Sequence, residues 1–150
     1  ISSAEAPKDV SDVDDLSELE GLDGIICGIP TWNTGADEER SGTAWDSILE
    51  DIGELSLSGK KVAIFGLGDS STYTENYCDA MEELHSYFTK AGAEMVGYVD
   101  KSSYTFDESK SVIGESFCGL PLDEDSESDL TDSRLETWAS QLKGEIPSLA

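Results

Sequence analysis

Positive charge is scarce in this chain. Nine lysines and arginines stand against 33 aspartates and glutamates, a formal net charge of −24 over 150 residues. A field of that sign repels nucleic acid and anionic lipid, and steers basic proteins inward at low salt. Solvation, or adaptation to high salt, would produce part of the same excess. Cysteine is sparse too: Cys27, Cys78 and Cys118 are odd in number and widely spaced, with no Cys-x-x-Cys pair. That argues against a disulfide framework or a zinc site and fits a reducing compartment. The single histidine, His85, sits in a helical pattern and reads as a surface or satisfied core residue. No stretch approaches the ~18 apolar residues of a membrane span, so no membrane insertion is expected. No signal-peptide pattern is visible, and the chain opens on Ile1 instead of Met, so upstream sequence is expected.

What is present is order. Hydrophobic residues are only 37% of the chain, yet they gather in short runs, the mark of a folded domain with a polar surface. Gly24-Ile25-Ile26-Cys27-Gly28-Ile29 reads as a buried parallel strand, fenced by glycine and proline. It leads into Pro30-Thr31-Trp32-Asn33-Thr34-Gly35, a loop at the carboxyl end of the strand, where open α/β sheets place their ligands. On this loop alone, Trp32 suits a flat apolar ligand as well as it suits a cover folded over the sheet. Val62-Ala63-Ile64-Phe65 repeats the arrangement, running into Gly66-Leu67-Gly68-Asp69-Ser70-Ser71-Thr72-Tyr73.

The remaining segments alternate with these strands. Thr43 caps a helix whose Trp45, Ile48, Leu49 and Ile52 form a buried stripe, with Gly53 as its stop. The stripe makes Trp45 core. Asn76 caps a second helix, with Asp79 at its third position and Tyr77, Ala80, Met81, Leu84, Phe88 and Ala91 inward; Lys90-Ala91-Gly92 ends it. Met95–Val99 reads as a third strand. The polar stretch Asp100–Glu115 then separates it from Phe117-Cys118-Gly119-Leu120-Pro121-Leu122, an insertion that splits one strand into two halves. Loops of that length need a purpose. A last helix starts near Thr131–Ser133, with Leu135, Trp138, Ala139 and Leu142 on one face and Gly144 as its stop. Residues 1–23 hold a short helical face of Val13, Leu16 and Leu19, and an edge strand within Ile1–Val10. The pattern is α/β, a doubly wound parallel sheet with helices on both faces, in a single domain over residues 1–150.

Taken together, the Trp32 loop, Phe65-Gly66-Leu67-Gly68-Asp69 with Tyr73, and Asn76-Tyr77-Cys78-Asp79-Ala80 resemble flavodoxin. Glu108-Ser109-Lys110-Ser111, Gly119 to Asp125, and Ser128-Asp129-Leu130-Thr131-Asp132 extend the match from about residue 5 onward. The insertion at about 100–116 resembles the long-chain flavodoxins of cyanobacteria and algae. The resemblance implies a one-electron carrier, not an enzyme, holding FMN non-covalently in a sheet of family order 2-1-3-4-5. Trp32 matches the aromatic on the inner face of the isoalloxazine and Tyr73 the ring on its outer face. Thr31, Asn33, Thr34 and Gly35 match the loop around one edge of that ring system, and Gly68 and Asp69 the loop at its pyrimidine end. Asp123 to Asp125 receive no role. By the same resemblance the partners are ferredoxin–NADP reductase and photosystem I. A monomer is expected, in a cyanobacterial cytoplasm or a plastid stroma.

The chemistry of the residues agrees. Stacking between Trp and Tyr favours a neutral flat ring, and acidic surroundings oppose added negative charge, which makes the couple strongly reducing. Asn tolerates positive φ, so Asn33 is a flip site, made stiffer by Thr34 where Gly would be looser. One departure stands out. The family's first strand ends in a Ser/Thr-rich phosphate loop, and none follows an apolar strand before Gly24. The chain thus reads as lacking a βα unit of about 25–35 residues. Three readings follow: an N-terminally truncated flavodoxin with poor FMN affinity, a protein that receives the strand from another chain, or an acidic flavodoxin-like interaction module without flavin. A flavin-dependent quinone reductase is a further alternative, without a substrate-activating cluster to support it.

Overall fold

The computed structural model describes residues 3–149. Its sheet is built around β2 (Lys61–Leu67), which pairs in parallel with β1 (Gly24–Pro30) along its whole length, from Gly24 opposite Lys61 to Pro30 opposite Leu67. The other edge of β2 is shared. β3 (Glu94–Val96) pairs with Lys61–Ala63, and β7 (Leu120–Leu122) pairs with Phe65–Leu67. The expected strand split by an insertion is therefore present. Residues between its halves form a separate antiparallel sheet in the order β4 (Val99–Asp100), β6 (Ser116–Phe117), β5 (Val112–Ile113).

Burial follows from this arrangement. Val62, Ala63 and Ile64 are all fully buried, because helices cover both faces of β2. On one face, α1 (Trp45–Gly53) and α2 (Ala80–Lys90) bring Leu49, Ile52, Met81, Leu84 and Phe88 against Ile25, Cys27, Ile29, Val62 and Ile64. On the other, α3 (Thr131–Glu145) sets Trp138 and Leu142 against Ala63, Leu120 and Leu122. β1 alternates between buried and half-buried residues, and among the described residues it has no strand on its far edge.

Several boundaries differ from the sequence reading. Met95–Val99 is not one strand: Gly97 has φ +79 and breaks the run, sending Val99 into the second sheet. The second helix begins at Ala80, not at Asn76, and neither Asn76 nor Asp79 caps its amides. The Ala80 N–H goes instead to Thr31 Oγ1 at 3.2 Å, and the Glu82 N–H to Ser111 Oγ at 3.1 Å. Gly53 is the last residue of α1 and not a left-handed stop; its missing side chain leaves room for Tyr87 and Lys90. Gly144 likewise lies inside α3, and Leu135 points outward, 38% exposed. Residues 3–10 hold no strand; Ile1 and Ser2, also named for one, lie outside the described residues. Residues 10–21 make two short 3-10 turns, opened by Asp9 and Asp15 accepting from the amides of Ser11 and Ser17. Leu16 and Leu19 pack on the core from there.

The excursion has its own packing. Tyr104 and Phe106 stack around Phe117, with ring centroids 5.1 and 5.0 Å away, and the Arg134 guanidinium of α3 lies 4.1 Å over the Tyr104 ring. Its return to the sheet is tight, since a Cβ at Gly119 would overlap the Ile64 carbonyl oxygen. Gly119→Ala is expected to cost about 3 kcal/mol, as overpacking against rigid backbone does, and to lower the melting temperature by roughly 10 °C. Urea and thermal unfolding measure both.

Candidate functional site

Two loops leave the carboxyl ends of adjacent parallel strands. The first, residues 31–42, doubles back as a tight hairpin. The Trp32 N–H donates to Ser41 O at 3.2 Å, the Asn33 N–H to Arg40 O at 3.0 Å, and the Asn33 side-chain amide to Glu39 O at 2.8 Å. Its tip is looser: Ala36 N–H to Asn33 O and the Thr34 hydroxyl to Thr31 O hold the turn, with Gly35 at φ +84. Thr31 anchors the base through its amide to Leu67 O and its hydroxyl to α2.

The second loop, residues 68–79, is wound around carboxylates. Asp69 Oδ1 accepts from the amides of Thr72 and Ser71, which hold its pKa below the usual range. The Tyr73 N–H donates to Asp69 O at 3.0 Å, and Gly68 N–H to Leu122 O at 3.0 Å. Gly68 is required by proximity, because a Cβ there would come within 2.9 Å of Cys78 Sγ.

The result is a pair of exposed aromatics on neighbouring loops. Trp32 is 75% exposed and Tyr73 51%. Of the other two tryptophans, Trp138 is buried and Trp45 is half-buried against the core: Trp45 Nε1–H donates to Gly28 O and Trp138 Nε1–H to Gly97 O. Trp32 is thus not folded back over the sheet. Thr31, Trp32, Asn33, Thr34 and Gly35 fall on one loop, and Gly68, Asp69 and Tyr73 on the next. Large apolar rings held in water by rigid loops suit a flat partner that would cover them. A cleft of about 700 Å³ lies elsewhere, between Glu75–Asp79 and the excursion around Lys101–Lys110. It has no exposed ring of this kind, and the Trp32 and Tyr73 surface is the better candidate.

Reactive groups do not gather here. The thiols of Cys27 and Cys118 are pushed up to about 12 by burial. His85 is a satisfied residue, its Nε2 2.5 Å from the Tyr98 hydroxyl, with burial lowering its pKa against the opposing effect of Glu82. The openings of two helices are occupied as well: the first amides of α2 are bonded to Thr31 and Ser111, and Trp45 N–H at the start of α1 to Thr43 Oγ1.

Two site residues escaped sequence reasoning. Glu83 on α2 holds the first loop. Asp123, which follows β7, is fully buried and holds the second. Its Oδ2 accepts from the Ser70 amide at 2.9 Å and from the Ser70 and Ser126 hydroxyls at 2.6 Å; its Oδ1 accepts from the amides of Asp125 and Ser126. The Asp-x-x-Ser spacing of Asp123 and Ser126 was the one available signal, that of an Asx turn. Burial alone would raise the Asp123 pKa, but the bonds from Ser126 and Ser70 together outweigh it and pull it down to about 2. This is worth roughly 2 kcal/mol, complete above about pH 4 and lost as pH falls through about 2. Asp123→Asn is expected to lose about that much stability at neutral pH, and the deficit should close under acid. Urea unfolding as a function of pH checks both.

Comparison with known proteins accords with this geometry. A family model described as Flavodoxin matches residues 2–138. The flavodoxin of Synechococcus elongatus is 44% identical over 124 residues, 83% of this chain and 71% of that protein. Flavodoxin 2 of Salmonella typhi is 40% identical, over 85% of this chain and 72% of its own. Among solved structures, Fusobacterium nucleatum flavodoxin bound to flavin mononucleotide superposes with a TM-score of 0.79 at 29% identity, covering 86% of this chain and 75% of that one. A match that runs from the first residues through most of α3, with the strand-end loops and split strand in place, leaves one assignment: the chain belongs to the flavodoxin family.

Proposed function

We infer that this chain is an FMN-binding one-electron carrier whose ring site is the Trp32 and Tyr73 pair. FMN, when bound, supplies a flat ring that takes up and releases single electrons. The chain's residues bind and tune it. Trp32 and Tyr73 cover its two faces and exclude water. The loop of Thr31, Asn33, Thr34 and Gly35 lies along one edge, and Gly68 and Asp69 along the pyrimidine end. Asn33 O is already bonded to the Ala36 amide, so turning the 33–34 peptide must break that bond. The surrounding acid, within a net charge of −24, resists added electrons and lowers the reduction potential.

The observation that carries this reading is the exposure of two rings, 75% and 51%, at the carboxyl ends of adjacent strands. Support comes from a family relative that is bound to flavin mononucleotide. The described residues fit the ring end of the cofactor, and the amides that open α2 are already bonded to Thr31 and Ser111. The partners we propose are basic-faced redox proteins, ferredoxin–NADP reductase and photosystem I, in a cyanobacterial cytoplasm or plastid stroma. No helix among the described residues is long and apolar enough to cross a membrane.

Titration with FMN, followed by tryptophan fluorescence, is expected to quench the Trp32 emission. Trp32→Ala and Tyr73→Ala should each weaken binding by roughly tenfold or more, about 1.4 kcal/mol. Unchanged fluorescence across the titration would leave an acidic docking module in place of a carrier. Association with a basic partner should slow about tenfold or more between low and physiological salt, by stopped flow, because the steering field is screened.

A further inference from the structure

The geometry points to Glu83 as the positioning residue that holds Trp32 at the ring site and confines movement of its loop to residues 34–38. This rests on the reading of Trp32 as a stacking platform. Trp32 and Asn33 are held by the returning arm of their loop, through Ser41 O, Arg40 O and Glu39 O. That returning arm is itself fastened from outside. Glu83, only 7% exposed, accepts the Glu39 N–H on Oε2 at 2.9 Å and the Arg40 N–H on Oε1 at 2.7 Å. One carboxylate thus spans two successive amides, which is possible because Glu39 takes φ +54, a conformation rare for a residue with a side chain. Asp46 of α1 grips the hairpin's far end in the same way, through the Ser41 hydroxyl at 2.6 Å and the Gly42 N–H at 2.8 Å.

The site of the fastening is chemically favourable. Glu82 and Glu83 lie in the first turn of α2, where the helix dipole favours negative charge. The Arg40 guanidinium reaches Glu82 at 2.6 Å and the Asp79 carbonyl at 3.2 Å, and its Nε–H reaches the Asp37 carbonyl. Charge-assisted bonds to backbone amides are shorter and stronger than neutral ones. Removing the acceptor leaves two amides unpaired, at a site that is partly closed to water. Between the two clamped arms, residues 34–38 keep only the local bonds of the turn. A change in the charge of a bound ring therefore meets a stiff Trp32 and a compliant tip.

Amide hydrogen exchange on the full chain, with and without FMN, tests this in Glu83→Ala, the milder Glu83→Gln and the control Glu82→Ala. Glu82→Ala removes a contact to the Arg40 side chain and leaves both amide bonds. In the Glu83 variants, exchange at Trp32, Asn33, Glu39 and Arg40 is expected to speed up by roughly tenfold or more, while β2 amides such as Ile64 stay within about twofold. FMN affinity should fall about fivefold in Glu83→Gln and stay near wild type in Glu82→Ala. Acceleration spread equally over β2 would mean that Glu83 only stabilises the fold, and would overturn the assignment. So would unchanged exchange at Trp32 and Asn33, or equal losses in the Glu82 and Glu83 variants. If the wild-type chain takes up no FMN, the carrier reading falls, and exchange at Trp32 and Asn33 still decides whether Glu83 positions the loop.

Discussion

The backbone of β2 must find partners on both edges, and most of this structure follows from how it does so. One edge is filled by β1 alone. The other is divided between β3 and β7, so the chain has to leave the sheet after Val96 and return at Leu120. The exit needs the positive φ of Gly97, and the return needs a residue without Cβ at Gly119, against the Ile64 carbonyl. What lies between cannot be slack polar loop. It folds into three short strands and an aromatic cluster docked on α3 by Arg134. The return also delivers Asp123 to the end of β7, where it meets the loop that carries Tyr73.

Carboxylates therefore do two kinds of work here. Most of the 33 acidic groups face water and set the long-range field. A few are drawn inside as acceptors for backbone N–H groups that the strand-end loops would otherwise leave unpaired. Asp123 and Glu83 are buried in this way, and Asp69 and Asp46 serve the same purpose nearer the surface. The outcome is support at the base of each loop. The amides of Trp32, Asn33 and Tyr73 are all hydrogen-bonded, while the tip of the first loop keeps only its local turn bonds.

Much of the fold was legible in order along the chain. The runs Gly24–Ile29 and Val62–Phe65 are short, apolar and fenced by glycine or proline, so they read as strands without help from tertiary contacts. The split of the last strand was legible because an interval of that length is rare unless structured. Boundaries failed where the deciding partner was distant. Asn76 has the composition of a cap, yet α2 starts later because Thr31 and Ser111 supply its acceptors. Leu135 fits a helical stripe and still faces solvent. At the site, Trp32 and Tyr73 stood out as aromatics after strands. Glu83 and Asp123 did not, since the amides they hold in these two loops lie 43 to 53 residues away. A carboxylate in a chain this acidic carries no mark of which one is buried.

The central claim is that these exposed rings serve single-electron transfer. Its most direct test is a stepwise reductive titration of the chain purified in the presence of FMN, followed by absorbance. The account expects bound flavin and two separable one-electron steps, the second at a markedly low potential. Flavin lost on gel filtration, or reduction in a single two-electron step at the potential of free FMN, would contradict it.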